Sequence, residues 1–158
     1  MEVIGVDRLN PDSMNMKGLS IGEIYIGKKG SFTKTISEYD VYTFAGICGD
    51  FNPLHVNAEY AKNTRFGERI AHGMLSASLY STIIGMCIPG SDAIFLGQSC
   101  KFLKPVKIGD TLTIVGEVID IKEVKRIVTL KMTITNQNNE IVIEGDATAM
   151  ANKGEDLV

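Results

Sequence analysis

From residue 94 onward four blocks, residues 94–103, 111–121, 127–135 and 141–150, read as strands, and in the third apolar and polar side chains take turns. A two-residue period is that of a strand with one face buried. In the third block Val128, Leu130, Met132 and Ile134 fall on one side, with Thr129, Lys131, Thr133 and Thr135 on the other. The intervals between blocks have turn chemistry: Lys104-Pro105, Ile108-Gly109-Asp110, Glu123-Val124-Lys125 and Asn136-Gln137-Asn138-Asn139. The blocks therefore predict an antiparallel meander. Two shorter alternating runs, 23–26 and 32–36, flank Gly27-Lys28-Lys29-Gly30 and predict two more strands around a turn.

The period changes elsewhere. Tyr39, Tyr42, Thr43 and Ile47 recur at helical spacing behind Ser37, a good N-cap, with Asp40 in the first turn, so a helix is predicted over 38–47. Asn57 can cap a brief helix over 58–62, and the polar stretch 63–69 then returns to the surface as a candidate flap. Residues 70–88 are apolar nearly all round, with small residues between large ones and no Asp, Glu, Lys or Arg. Such a segment predicts a helix buried on every side, too short to span a bilayer and stopped by Pro89-Gly90. Its start near Gly73 directs unpaired N–H groups into the interior, where an oxyanion could rest. A long buried helix followed by a meander implies an α+β domain with the sheet around the helix. Residues 1–20 show no clean period and are expected to form an N-terminal extension to a single domain over 21–158.

Between the first two helices lies Cys48-Gly49-Asp50-Phe51-Asn52-Pro53-Leu54-His55. Pro53 interrupts any helix through it, Asn52 is pushed toward extended backbone, and Gly49 frees the chain ahead of Asp50, so the segment is expected to be a shaped loop without regular structure. A carboxylate and an imidazole held by such a loop can share one water, one taking a proton while the other gives one. The plainer alternative is that Asp50 caps a turn and His55 is a hydrogen-bonded structural side chain.

Composition narrows the class without choosing between these readings. Hydrophobic residues make up 44% and charged residues 22% of 158, which suits one soluble domain with a sizeable core. A net charge of −3 argues against broad nucleic-acid binding. The N-terminus lacks a basic start and a long apolar run, so a cytoplasmic location off the membrane is expected. Cys48, Cys87 and Cys100 sit in apolar surroundings and are expected to be buried reduced thiols. His55 and His72 form no ligand cluster of recognised spacing, so no metal is expected.

Taken together, Phe44 to His55, Ile70-Ala71-His72-Gly73-Met74, Gly97-Gln98 and Phe102 to Asp110 resemble, in order, the MaoC-like (R)-specific enoyl-CoA hydratase family of the hot-dog fold. The resemblance implies a strongly curved antiparallel sheet wrapped around a central helix, in a homodimer whose sheets join edge to edge. It implies hydration of a trans-2-enoyl-CoA to the (R)-3-hydroxyacyl-CoA, with no cofactor beyond the coenzyme A of the acyl-CoA substrate. Asp50 and His55 would be the catalytic pair, Asp50 acting on water and His55 supplying the proton to C2. Gly73 N–H would meet the thioester oxyanion, Asn52 would fix the loop, and the Ser81 hydroxyl would lie near the pair. Lys101, Lys104 and Lys107 would meet the coenzyme A phosphates and Ile84 the acyl chain. His72 is assigned a structural place. Three neighbouring readings stay open: a 3-hydroxyacyl thioester dehydratase on coenzyme A or a carrier protein, a thioesterase, and a noncatalytic acyl-CoA-binding module.

Overall fold

In the computed structural model, which describes residues 18–153, the four blocks after residue 94 and the run at 32–36 lie in the strands of one sheet. These are β1 (Lys29–Thr35), β2 (Ile94–Phe102), β3 (Thr111–Lys122), β4 (Ile127–Thr135) and β5 (Ile141–Met150), in the order β1-β3-β4-β5-β2. Every neighbouring pair is antiparallel. The register sets apolar residues side by side on one face: Val118 opposite Leu130, Gly116 opposite Met132, Ile134 opposite Ile143. Leu112, Ile114, Val118, Leu130, Met132 and Ile134 are fully buried, each contributing on the order of 1.5–3 kcal/mol by leaving water.

The helices are α1 (Glu38–Cys48), α2 (Pro53–Val56), α3 (Ala58–Lys62), α4 (Gly73–Ser78) and α5 (Tyr80–Met86). Tyr80, Ile83 and Ile84 of α5 are buried in the same core as the sheet. The approach is close enough that a Cβ on Gly116 of β3 would stand 2.6 Å from Ile83. Helix α1 starts on a reciprocal capping box, in which the Ser37 hydroxyl accepts from Asp40 N–H and the Asp40 carboxylate accepts from Ser37 N–H.

Several expectations need correction. The segment 70–88 is not one helix. Ile70 pairs with Lys107 in an isolated bridge and Ala71 N–H donates to Val106 O, so residues 70–72 stay outside the helix, which begins at Gly73, where its start was expected. A second interruption falls at Leu79, where Leu79 N–H reaches Ser76 O and Thr82 N–H reaches Leu79 O in tight three-residue steps. The Ser78 hydroxyl bonds back to Leu75 O at 2.6 Å and competes for the same turn. Residues 23–26 do not form a strand, because Glu23 closes a 3₁₀ turn (Ile21–Glu23) by accepting from Ser20 N–H. Cys48 is exposed; Cys87 and Cys100 are half-buried, and all three are free thiols.

The expected extension 1–20 lies largely outside the described residues, as does the end of the domain expected over 21–158. Of that extension, Leu19 N–H donates to Pro89 O and Ser20 bridges Asn152, so this short stretch is held against the body. Among the described residues no helix is long and apolar enough to cross a membrane.

Candidate active site

Helix α1 ends where Gly49 takes a left-handed φ of 79° and its N–H closes on Ala45 O. The next turn is built from its own side chains. Asp50 Oδ1 accepts from Asn52 N–H at 3.1 Å, and Asn52 Oδ1 accepts from Leu54 N–H at 3.1 Å as the N-cap of α2. The stretch expected to be irregular is therefore in part a single helical turn. Pro53 occupies its first position, where a missing N–H costs nothing and the fixed φ suits a helix. His55 rides on that turn with 8% of its surface exposed.

Both imidazoles are fixed through backbone carbonyls. His55 Nδ1 lies 2.8 Å from Ile70 O, and a carbonyl only accepts, so Nδ1 carries the proton and Nε2 is the free nitrogen of the neutral ring. His72 Nε2 lies 2.9 Å from Asp50 O and is a donor by the same argument. The two rings lie 3.9 Å apart between centroids at an interplanar angle of 31°, and Phe44 packs against His72 at 5.2 Å. Potential ligand atoms of Asp50, His55 and His72 all lie within 4.8 Å of one another.

This cluster stands in the wall of a cavity of about 790 Å³. Gly73 and Ser76 continue the same wall, while Phe44, Phe102, Val106 and Ile143 make it mainly apolar. A Cβ on Gly73 would meet the Phe102 ring at 2.8 Å, so the absence of a side chain is what lets that ring close on the start of α4. Such a chamber suits an apolar acyl group that brings one polar, reactive end to the Asp50 side.

The structure brings Asp50, His55 and Gly73 to one cavity and treats the other predicted residues differently. Asn52 is exposed and acts on the loop as a cap, without lining the cavity. Ser81 is exposed and does not line the cavity; the tight steps at Leu79 overwind the helix, so eight residues no longer return to the face of Gly73. The serine in the wall is Ser76, fully buried, one turn from Gly73. Ile84 is core, packed away from the cavity. Of the three lysines only Lys104 lines it, paired with Glu140 at 2.5 Å, and Lys101 does not reach it. Lys107 stands outside on Glu68 at 2.5 Å, which raises its pKa through that hydrogen bond.

Sequence reasoning passed over Arg65, which lies in the expected flap, lines the cavity and stacks its guanidinium over Phe66 at 4.8 Å. Spacing along the chain could not have revealed it, since nothing distinguishes Arg65 from Arg69, which binds Glu38 and Tyr42 instead. The fold also assembles the potential ligand set that sequence spacing did not suggest, Asp50 with both histidines.

Comparison with known proteins gives the arrangement its context. The model of the MaoC like domain family matches residues 24–140. A protein of Rhodospirillum rubrum named (R)-specific enoyl-CoA hydratase is 48% identical over 128 residues, 81% of this chain and 88% of the relative. A 3-hydroxybutyryl-CoA dehydratase of Methylorubrum extorquens is 35% identical over 89% of each chain. The unliganded R-hydratase PhaJ1 of Pseudomonas aeruginosa matches with a TM-score of 0.82 at 40% identity, over 86% of this chain and 87% of that one. The fold is the α+β hot-dog arrangement that the sequence resemblance implied. By the extent of these matches in sequence and in structure, the chain belongs to the MaoC-like domain family.

Proposed function

We propose that this chain is a hydro-lyase that adds water reversibly to trans-2-enoyl-CoA, giving the (R)-3-hydroxyacyl-CoA. The observation that carries the reading is the convergence of Asp50 and His55 on an apolar cavity beside the start of α4. A water held between carboxylate and imidazole loses a proton to the pair as its oxygen bonds to C3. The pair returns a proton to C2, so the product differs from the substrate by one water. His55 suits traffic in both directions: Ile70 O anchors Nδ1–H, and the free Nε2 accepts a proton when neutral and gives one when charged. Charge that develops on the thioester oxygen would meet Gly73 N–H, the first of the unpaired donors of α4. No cofactor enters these steps.

Coenzyme A phosphates would meet Arg65 and Lys104 at the cavity, Arg65 taking the place of Lys101 and Lys107 among the cations first expected. A homodimer fits the same reading, since β2 is an edge strand with Ile94, Phe95 and Leu96 exposed, and a second copy would cover both the edge and these side chains. Dehydration of the 3-hydroxyacyl thioester is the same reaction in reverse, consistent with relatives named as dehydratases.

The test is to mix the protein with crotonyl-CoA and follow the ultraviolet absorbance of the conjugated thioester together with free thiol. Hydration removes the absorbance without releasing thiol and yields (R)-3-hydroxybutyryl-CoA on chiral analysis. Thiol release would make the protein a thioesterase, and binding without either signal would make it an acyl-CoA-binding module.

A further inference from the structure

His72 takes no part in the proton transfers above, yet it is the more deeply buried of the two histidines, 2% exposed against 8% for His55. It occupies the N-cap of α4, where side chains usually accept an unpaired N–H, but it makes no such bond. Its ring turns instead to the loop ahead of α2 and donates Nε2–H to the backbone carbonyl of Asp50, 22 positions earlier, at 2.9 Å. One face of the same ring lies on His55 at 3.9 Å. A single side chain thus touches both members of the acid–imidazole pair. Its other nitrogen, Nδ1, is buried without a hydrogen-bond partner, and so is the hydroxyl of Ser76, one turn further along and lining the same cavity.

We propose that His72 is a positioning residue for the hydration reaction, setting the separation and mutual orientation of Asp50 and His55, with the Asp50 carbonyl holding its tautomer. The inference rests on the hydratase reading. Asp50 sits on an exposed turn just after the left-handed Gly49, and its carboxylate is oriented only locally, by Asn52 N–H. The bond from His72 ties that turn to the start of α4, where Gly73 stands. Histidine suits the place because two demands meet there: a donor far enough from Cα to reach the Asp50 carbonyl, and a flat face for His55 to rest on. Glutamine meets the first demand, phenylalanine the second, and asparagine neither.

The experiment has a kinetic arm and a spectroscopic arm, both on the full chain. Displacement of a catalytic group by about 1 Å costs on the order of 10²-fold in rate. His72→Asn and His72→Phe are therefore expected to lose about that much kcat on crotonyl-CoA with KM little changed, while His72→Gln recovers most of it. With only two histidines in the chain, the long-range nitrogen–proton spectrum reads each tautomer directly. One ring should carry its proton on Nδ1 and the other on Nε2, the Nε2–H pattern disappearing in His72→Gln. Equal kcat in the Gln and Asn variants, or both histidines in one tautomer, overturns the proposal. If the wild-type protein leaves crotonyl-CoA unchanged, the hydratase reading fails, and the spectrum still decides whether His72 holds Asp50.

Discussion

Asp50 and His55 meet in surroundings suited to proton transfer: a turn closed by Asn52, a carbonyl anchor at Ile70 and a cavity large enough for an acyl group. Replacing Asp50 with Asn or His55 with Gln keeps size and hydrogen bonding but removes the proton carrier. Each is expected to lower kcat on crotonyl-CoA by about 10²–10⁴-fold, with an unchanged circular-dichroism spectrum. Arg65 belongs to a different step of the cycle. With the coenzyme A phosphates bound as proposed, Arg65→Glu would set a negative charge beside them and should raise KM about tenfold or more while leaving kcat nearly intact, as expected for lost binding that does not change between ground and transition state. Steady-state kinetics over a range of salt concentration distinguishes this from a fold defect. These two predictions separate chemistry from binding within one cavity.

At the scale of elements, α1 matters because it delivers the chain into the Asp50 turn. Its start depends on Ser37 and Asp40, and Lys34 adds an ion pair to Asp40 at 3.0 Å. Burial pulls the Asp40 pKa up, but the bonds from Ser37 and Lys34 outweigh it and hold the carboxyl below its usual 3.8. A carboxyl depressed by folding stabilises the protein fully above its unfolded pKa, and that stability is lost as pH falls through the lower folded value. Unfolding free energy should therefore decline as pH drops below about 4. Asp40→Asn should flatten that decline, as measured by urea titration at several pH values. Ser37→Ala should cost about 1 kcal/mol at neutral pH. Gly145 is the corresponding point in the sheet: a Cβ there would fall 1.9 Å from Ser99 O, a backbone atom that no rotamer can move. Gly145→Ala should force β2 away from β5 and lower stability by about 1–3 kcal/mol, visible as a fall in Tm.

Among the described residues the sheet presents two edge strands, β1 and β2, and they are unequal. Strand β1 carries Lys29 and Lys34, charges that discourage another chain from pairing. Strand β2 exposes Ile94, Phe95, Leu96 and Phe102, and Phe102 also lines the cavity. A second copy docked on β2 would therefore lie beside the site. Sedimentation of the full chain should give a dimer, and Leu96→Lys should shift it to monomer; a monomeric wild-type protein at micromolar concentration would remove the dimer from the account.

How much of this was legible along the chain follows from the range of the interactions involved. Strand bounds at 127–135 and 141–150, the capping of α1 by Ser37 and the turn chemistry around Asp50 are local facts, set by side-chain alternation and by hydrogen bonds between residues a few positions apart. They needed only the sequence, and the ordered blocks added the family. The break at Leu79 was not legible, because the pull of Ser78 on Leu75 O and the strand-like pairing of Ile70 and Ala71 decide where helix is possible, whereas apolar composition suggested one unbroken rod. Past that break Ser81 is exposed, and the cavity serine is Ser76, which precedes it. The meeting of His72 with Asp50 and His55, and the arrival of Arg65 in place of Lys101 and Lys107, were decided only by tertiary structure. Contacts between residues far apart in sequence leave no period to read, and only packing determines which of several equivalent side chains reaches the site.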